Sequence, residues 1–264
     1  MPTGLGDEQL WISATNDNTG TSTAFDDLSG QGNDGTANGG MLVVADTSEG
    51  GTYAFDFDGT DDFIELPLTA MNFGSGDLSI SFWVSSTDTN GGPLLNNYSG
   101  GGSSGKWLNV HLNNDGSSSQ VGNMYSEFDD GTTKRSFNTA SKSYNDGNWR
   151  HFTLVRDNAA GFMYLYEGSG STPVSSASVA GIGSLNGSKA MRIGSWTSLI
   201  TGRSLLDGKM DDIRHYDRVL TQAEITHLAT SRGIEGGPGG AATNYNAFRN
   251  AKYINKTYQI PRFG

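Results

Sequence analysis

The chain predicts an all-β fold: a sandwich of two antiparallel sheets with one short helix near its end. Three observations predict it. Apolar residues recur at every second position over short runs, as in Leu78, Ile80, Phe82 and Val84, the period of a half-buried strand. The runs are separated by turns of Gly, Asn, Asp and Ser, and the 38 glycines among 264 residues show no three-residue repeat that would suggest collagen. One helical signature interrupts this pattern. Thr221 and Glu224 form a capping box ahead of Ile225 and Leu228, which share one face of a short helix.

Bulk properties narrow the function. A β-sandwich can reach this length as one domain, with a core large enough to need no staples. There is no cysteine, so neither a disulfide nor a thiolate metal site or nucleophile is available. The first residues, Met1 to Glu8, carry no basic region followed by an apolar one, so no export signal is expected. No apolar run approaches the ~18 residues of a membrane span. Charge is uneven. Residues 1–235 hold all 28 acids and 13 of the 17 Lys and Arg, a formal −15, whereas residues 236–264 hold four bases and no acid. The body therefore repels nucleic-acid phosphate, and its acidity serves solubility or attracts calcium and cationic surfaces.

In chain order, Leu10 to Ile12 form a first apolar strand containing Trp11. Phe25 to Thr36 follow as a Gly-, Asp- and Asn-rich loop. Such a loop either holds itself by side chain-to-backbone hydrogen bonds or turns several oxygens towards a hard cation. Tyr53, Phe55 and Phe57 alternate with Ala54, Asp56 and Asp58, then turn at Asp58-Gly59 into a return strand from Phe63 to Leu66. Asp58, Asp61 and Asp62 in that turn read as solvated hairpin acids or as a metal cluster. Ser79, Ser81 and Trp83 face away from the apolar side of their strand, where Trp83 is a sugar platform or is packed under a loop. Tyr98 stands alone in a Gly- and Ser-rich stretch. Trp107, Asn109 and His111 alternate with Leu108, Val110 and Leu112. These mid-chain loops are the expected place for a ligand, with Tyr98 and Trp107 as candidate sugar-binding residues. Trp149-Arg150-His151 opens another strand, read as packed rather than catalytic. From Met210 to Tyr216 strict alternation is expected, with Asp211 and Asp212 on opposite faces. Arg232 and Gly233 are expected as a cationic last turn and stop of the helix.

Several segments together carry a family resemblance. They are Asp27 to Thr36, Phe57 to Phe63, Leu78 to Val84, Asp146 to Asp157, and above all Gly208 to Leu228, which reads Gly-Lys-Met-Asp-Asp-Ile-Arg-His-Tyr-Asp-Arg-Val-Leu-Thr-Gln-Ala-Glu-Ile-Thr-His-Leu. This pattern resembles the laminin G-like, concanavalin A-like jelly rolls, over about residues 10 to 232. The resemblance implies a lectin-like sandwich and, as cofactor, one structural calcium ion, for which Asp27, Asn33 and Asp211 are the expected ligands. Glucanases of this type carry Glu-x-Asp-x-x-Glu on one strand. Here Glu127-Phe128-Asp129 is followed by Thr132 where the second Glu belongs, so two-carboxylate hydrolysis is not expected.

The expected domain spans residues 1–235. Residues 236–242 form a Gly-rich linker, and residues 243–264 a tail. The tail sets five aromatics among four bases, and Tyr245, Phe248, Arg249, Lys252, Tyr253, Tyr258, Arg262 and Phe263 are its expected partner-binding residues. It is similar to short aromatic-basic ends on jelly-roll proteins encoded by bacteriophages. That resemblance implies a non-catalytic virion surface protein, such as a capsid decoration protein. It would be made in the host cytoplasm, be oligomeric in the assembly, and be anchored to other virion proteins through the tail. The alternative is a calcium-assisted carbohydrate-binding module or adhesin that grips host-surface glycan.

Overall fold

The structure is a computed structural model that describes residues 5–14, 20–21, 23–90, 92–98, 105–112, 122–139, 142–197 and 205–233. Its strands run in chain order from β1 (Leu10–Ile12), β2 (Gly20–Thr21), β3 (Ala24–Phe25) and β4 (Gly35–Asn38) to β5 (Leu42–Ala45) and β6 (Tyr53–Asp58). They continue through β7 (Phe63–Glu65), β8 (Leu78–Ser85), β9 (Gly92–Asn96), β10 (Lys106–Leu112), β11 (Met124–Asp130) and β12 (Lys134–Asn138). The last are β13 (Arg150–Asp157), β14 (Phe162–Glu167), β15 (Ser175–Ser178), β16 (Arg192–Ile193) and β17 (Asp207–Tyr216), before the helix α1 (Gln222–Leu228).

They form two antiparallel sheets. Sheet A runs β15-β14-β13-β8-β17-β6-β5-β2, with β1 also paired to β17, and sheet B runs β12-β11-β10-β9-β16-β7-β4-β3. Alternation explains how the sheets meet. Leu78, Ile80, Phe82 and Val84 of β8 enter the core with Phe55 and Phe57 of β6 and Phe152 and Leu154 of β13. From sheet B, Leu108, Val110 and Leu112 of β10 meet them with Met124 and Phe128 of β11. Burial of these inner faces is the main stabilising term.

The outer face of sheet A is also closed. α1 lays Ile225 and Leu228 on Val155, Tyr216 and Leu220, forming a second apolar cluster. Its start follows the sequence. The Thr221 side chain accepts from the Glu224 amide, and the Glu224 carboxylate accepts the Thr221 N–H at 2.7 Å. Thr221→Ala is expected to cost about 1 kcal/mol in urea unfolding. Trp83 lies beneath this helix and donates its indole N–H to the Leu228 carbonyl at 3.3 Å. It is therefore a packing residue and not a sugar platform.

Two expectations for the closing segment are corrected. Asp211 faces Trp83 and Arg214 faces Ser81, so three steps on β17 match two on β8. This is a β-bulge, with Asp212 at φ 53°. The bulge shifts the alternation, placing Met210 and Ile213 together in the core. Arg232 does not serve the helix end, because α1 stops at Leu228. The chain instead folds back and buries the guanidinium, which donates to the carbonyls of Asp46, Ser48 and Tyr53. It also pairs with Asp211 at 3.2 Å and lies 4.0 Å over the Trp149 ring.

Candidate functional site

With α1 covering the outer face of sheet A, the outer face of sheet B offers the larger set of polar and aromatic side chains. Register aligns them. One row crosses the sheet as Glu65, Arg192, Asn96, Asn109, Glu127 and Ser136, each opposite the next. On one side of it Trp107 faces Asp129, which faces Lys134. On the other, His111 faces Tyr125, which faces Asn138.

Glu127 is the hub of this face. Its carboxylate accepts the Trp107 indole N–H at 3.0 Å and the Tyr125 hydroxyl at 2.8 Å, and pairs with Lys134 at 2.6 Å. Burial is the main cause that pushes the Tyr125 phenol up to about 12, with Glu127 adding to it, so the hydroxyl stays a hydrogen-bond donor at neutral pH. A second hub is the fully buried Asn96. Its carbonyl oxygen accepts the backbone N–H groups of Tyr98 and Thr197 at 3.2 and 3.1 Å, and Thr197 Oγ1 donates to the Tyr98 carbonyl. Asn96 thus pins two loop segments over the sheet, while its Nδ2 meets no acceptor among the described residues.

The two sugar-binding candidates are brought together, with ring centroids 4.7 Å apart, edge to face. They are not equivalent. Trp107 is 4% exposed and sits under Tyr98, with Lys134 Nζ 5.9 Å from its ring centre. It supports the face and cannot itself stack on a sugar, which corrects the sequence expectation. Tyr98 is half-buried and can. Tyr125, Glu127, Lys134 and Asn96 were not singled out as binding residues from sequence. The Tyr125, Glu127, Asp129 alternation was a usable signal.

Catalysis finds little support in this geometry. Thr132, where a second glutamate would belong, donates its hydroxyl to Asp130 at 2.7 Å. His151 lies under α1 in sheet A, with Nε2 2.7 Å from Ser81 Oγ. Burial drives its pKa down to about 3, helped by Arg214.

The three expected calcium ligands do not gather at one point. Asp27 accepts three backbone N–H groups, from Trp11, Ser29 and Asn33, each at 3.0 Å. Asn33 donates its amide to the Gln9 carbonyl. The loop is held by its own hydrogen bonds. Asp211 accepts from Ser13 Oγ, Ala14 N and Asp212 N, and pairs with Arg232. Both carboxylates are turned to N–H and O–H donors. Tail residues Tyr245, Phe248, Arg249, Lys252, Tyr253, Tyr258, Arg262 and Phe263 lie outside the described residues.

The sequence matches, over residues 58–226, the laminin G family described as the concanavalin A-like lectin/glucanases superfamily. The chain belongs to that superfamily. No match was found among curated protein sequences. Among solved structures, the fold is similar to the binding domain of Paraclostridial Mosquitocidal Protein 1, with TM-score 0.64 and 16% identity over 84% of this chain and 52% of that one. It is also similar to the ligand-binding domain of botulinum neurotoxin serotype D in complex with N-acetylneuraminic acid. There the TM-score is 0.62, with 14% identity over 85% and 50% of the two chains. The binding domain of botulinum neurotoxin serotype G gives 0.61 and 14% identity over 84% and 50%. The chain thus spans about half the length of these relatives.

Proposed function

We propose that the protein is a non-catalytic carbohydrate-binding domain that uses the outer face of sheet B. The observation that carries this reading is the grouping of Tyr98, Tyr125, Glu127 and Lys134 over the buried Trp107. A tyrosine ring offers a face for the C–H side of a pyranose. The carboxylate, phenol and ammonium beside it offer acceptors and donors for hydroxyls. Sugar sites need such an apolar surface with a few placed polar groups. The sialic-acid complex of one structural neighbour adds support by analogy of fold, which by itself does not fix a ligand. The particle-anchoring reading rests on the tail and draws no support from the described residues.

The test is an array of neutral and sialylated oligosaccharides probed with the whole chain, followed by titration of any captured glycan. Tyr98→Ala and Tyr125→Ala are each expected to weaken binding about tenfold, equivalent to ~1.4 kcal/mol, with little change in Tm. The bound glycan should be recovered uncut. Failure to bind any glycan, or equal affinity of wild type and both variants, would overturn the assignment.

A further inference from the structure

The geometry points to a binding site for a hard divalent cation, calcium by preference, at the turn between β6 and β7, with Asp58, Asp61 and Asp62 as ligands. One carboxylate oxygen from each of these residues lies within 4.8 Å of the others. Two oxygens held by one calcium at 2.3–2.6 Å can be at most about 5 Å apart, so the three fit a single ion.

Acids clustered in an exposed turn are usually just hydrated, and Asp58 and Asp61 are exposed. Asp62 is not. It is 4% exposed, its Oδ2 accepts the Asp58 N–H at 3.1 Å, and its Oδ1 meets no donor among the described residues. A buried carboxylate oxygen without a partner is costly and calls for an ion or a water. No base answers it locally. Asp207 lies opposite Asp58 across the ladder, and Lys209, opposite Asp56, gives its ammonium to Asp46 at 3.1 Å. Burial, with Asp58, Asp61 and Asp56 nearby, raises the Asp62 pKa. A divalent cation would remove that repulsion.

The surroundings fix the pocket. Gly39, at φ 80°, packs its α-carbon against the Asp61–Asp62 peptide, where a Cβ would collide with backbone. β6 belongs to sheet A and β7 to sheet B, so an ion here would tie the two sheets at one corner of the sandwich. The site is separate from the proposed sugar face, since β16 and β9 lie between β7 and β10.

The experiment is thermal unfolding of the chelator-treated full chain in calcium chloride, magnesium chloride or neither, without glycan. Calcium at about a hundred times its dissociation constant is expected to raise Tm by about 5 °C, and magnesium by less. Asp62→Asn and Asp61→Ser are each expected to reduce that rise to a small fraction. If Asp62→Asn does not fold, the exposed Asp61→Ser decides alone. No calcium-dependent rise in the wild type, or a full rise in the variants that fold, overturns the site. Because no sugar is present, a failure of the carbohydrate reading leaves this result untouched.

Discussion

Between pH 6.5 and pH 4 the folded state is expected to lose on the order of 3 kcal/mol through His151 alone. The ring is buried beneath α1, 5.3 Å from the Trp83 ring and in contact with Ser81, and Arg214 is the charge that repels its protonated form. Its pKa is depressed to about 3 in the fold, against about 6.5 in an unfolded chain. The unfolded chain therefore takes up a proton first as pH falls. Stability is fully present above pH 6.5 and is lost progressively towards pH 3. His215 adds to the slope in the same sense, because burial beside the Phe73 ring lowers it to about 4, against the pull of Asp217. Asp211 acts oppositely. Burial and Asp212 push it up to about 7, so its contribution falls as pH rises from about 4 to 7. Urea unfolding across this range separates them: His151→Gln should flatten the acid side, and Asp211→Asn should steepen it. A wild type and a His151→Gln variant with identical pH profiles would refute the assignment.

Replacing Arg214 with alanine is expected to cost about 3–5 kcal/mol, the penalty for stranding a buried charge. Arg214 has no solvent exposure, donates to both carboxylate oxygens of Asp212 at 2.8 and 3.1 Å, and lies 4.1 Å over the Trp11 ring. Glu8 approaches the same guanidinium at 3.7 Å. Asp212 in turn accepts the Trp11 indole N–H at 2.7 Å. Removing the cation leaves the Asp212 and Glu8 carboxylates buried without it, at a bulge whose left-handed backbone already carries strain. The measurement is equilibrium denaturation at pH 7. A loss below about 1 kcal/mol would show that the network contributes little.

Much of the fold could be read from the chain, because β8, β10 and α1 follow local rules of alternation and capping. The closing strand could not. One extra residue at Asp212 moves every later side chain to the other face, and such a bulge is set by pairing with β8 and by Trp11, about 200 residues away in sequence. The same limit applied to Arg232, whose partners lie on β5, β6 and β17. Acidic side chains were the hardest to assign. Asp27, Asp62 and Asp211 look alike in sequence, but their roles depend on which N–H groups reach them. At the candidate site, Tyr98 and Trp107 were found from residue type alone. Their unequal exposure, and the Glu127 hub between them and Tyr125, arise only when β10 and β11 are paired.

The anchoring of Arg232 gives the molecule a front and a back. Its guanidinium is clamped against the helix-covered side, so the backbone at Gly233 emerges behind the sandwich, away from the tyrosines of sheet B. Whatever follows in the chain starts from the rear. A fusion partner or solid support joined there would leave the opposite side open to solvent, so immobilising the protein through its C-terminus should preserve glycan capture.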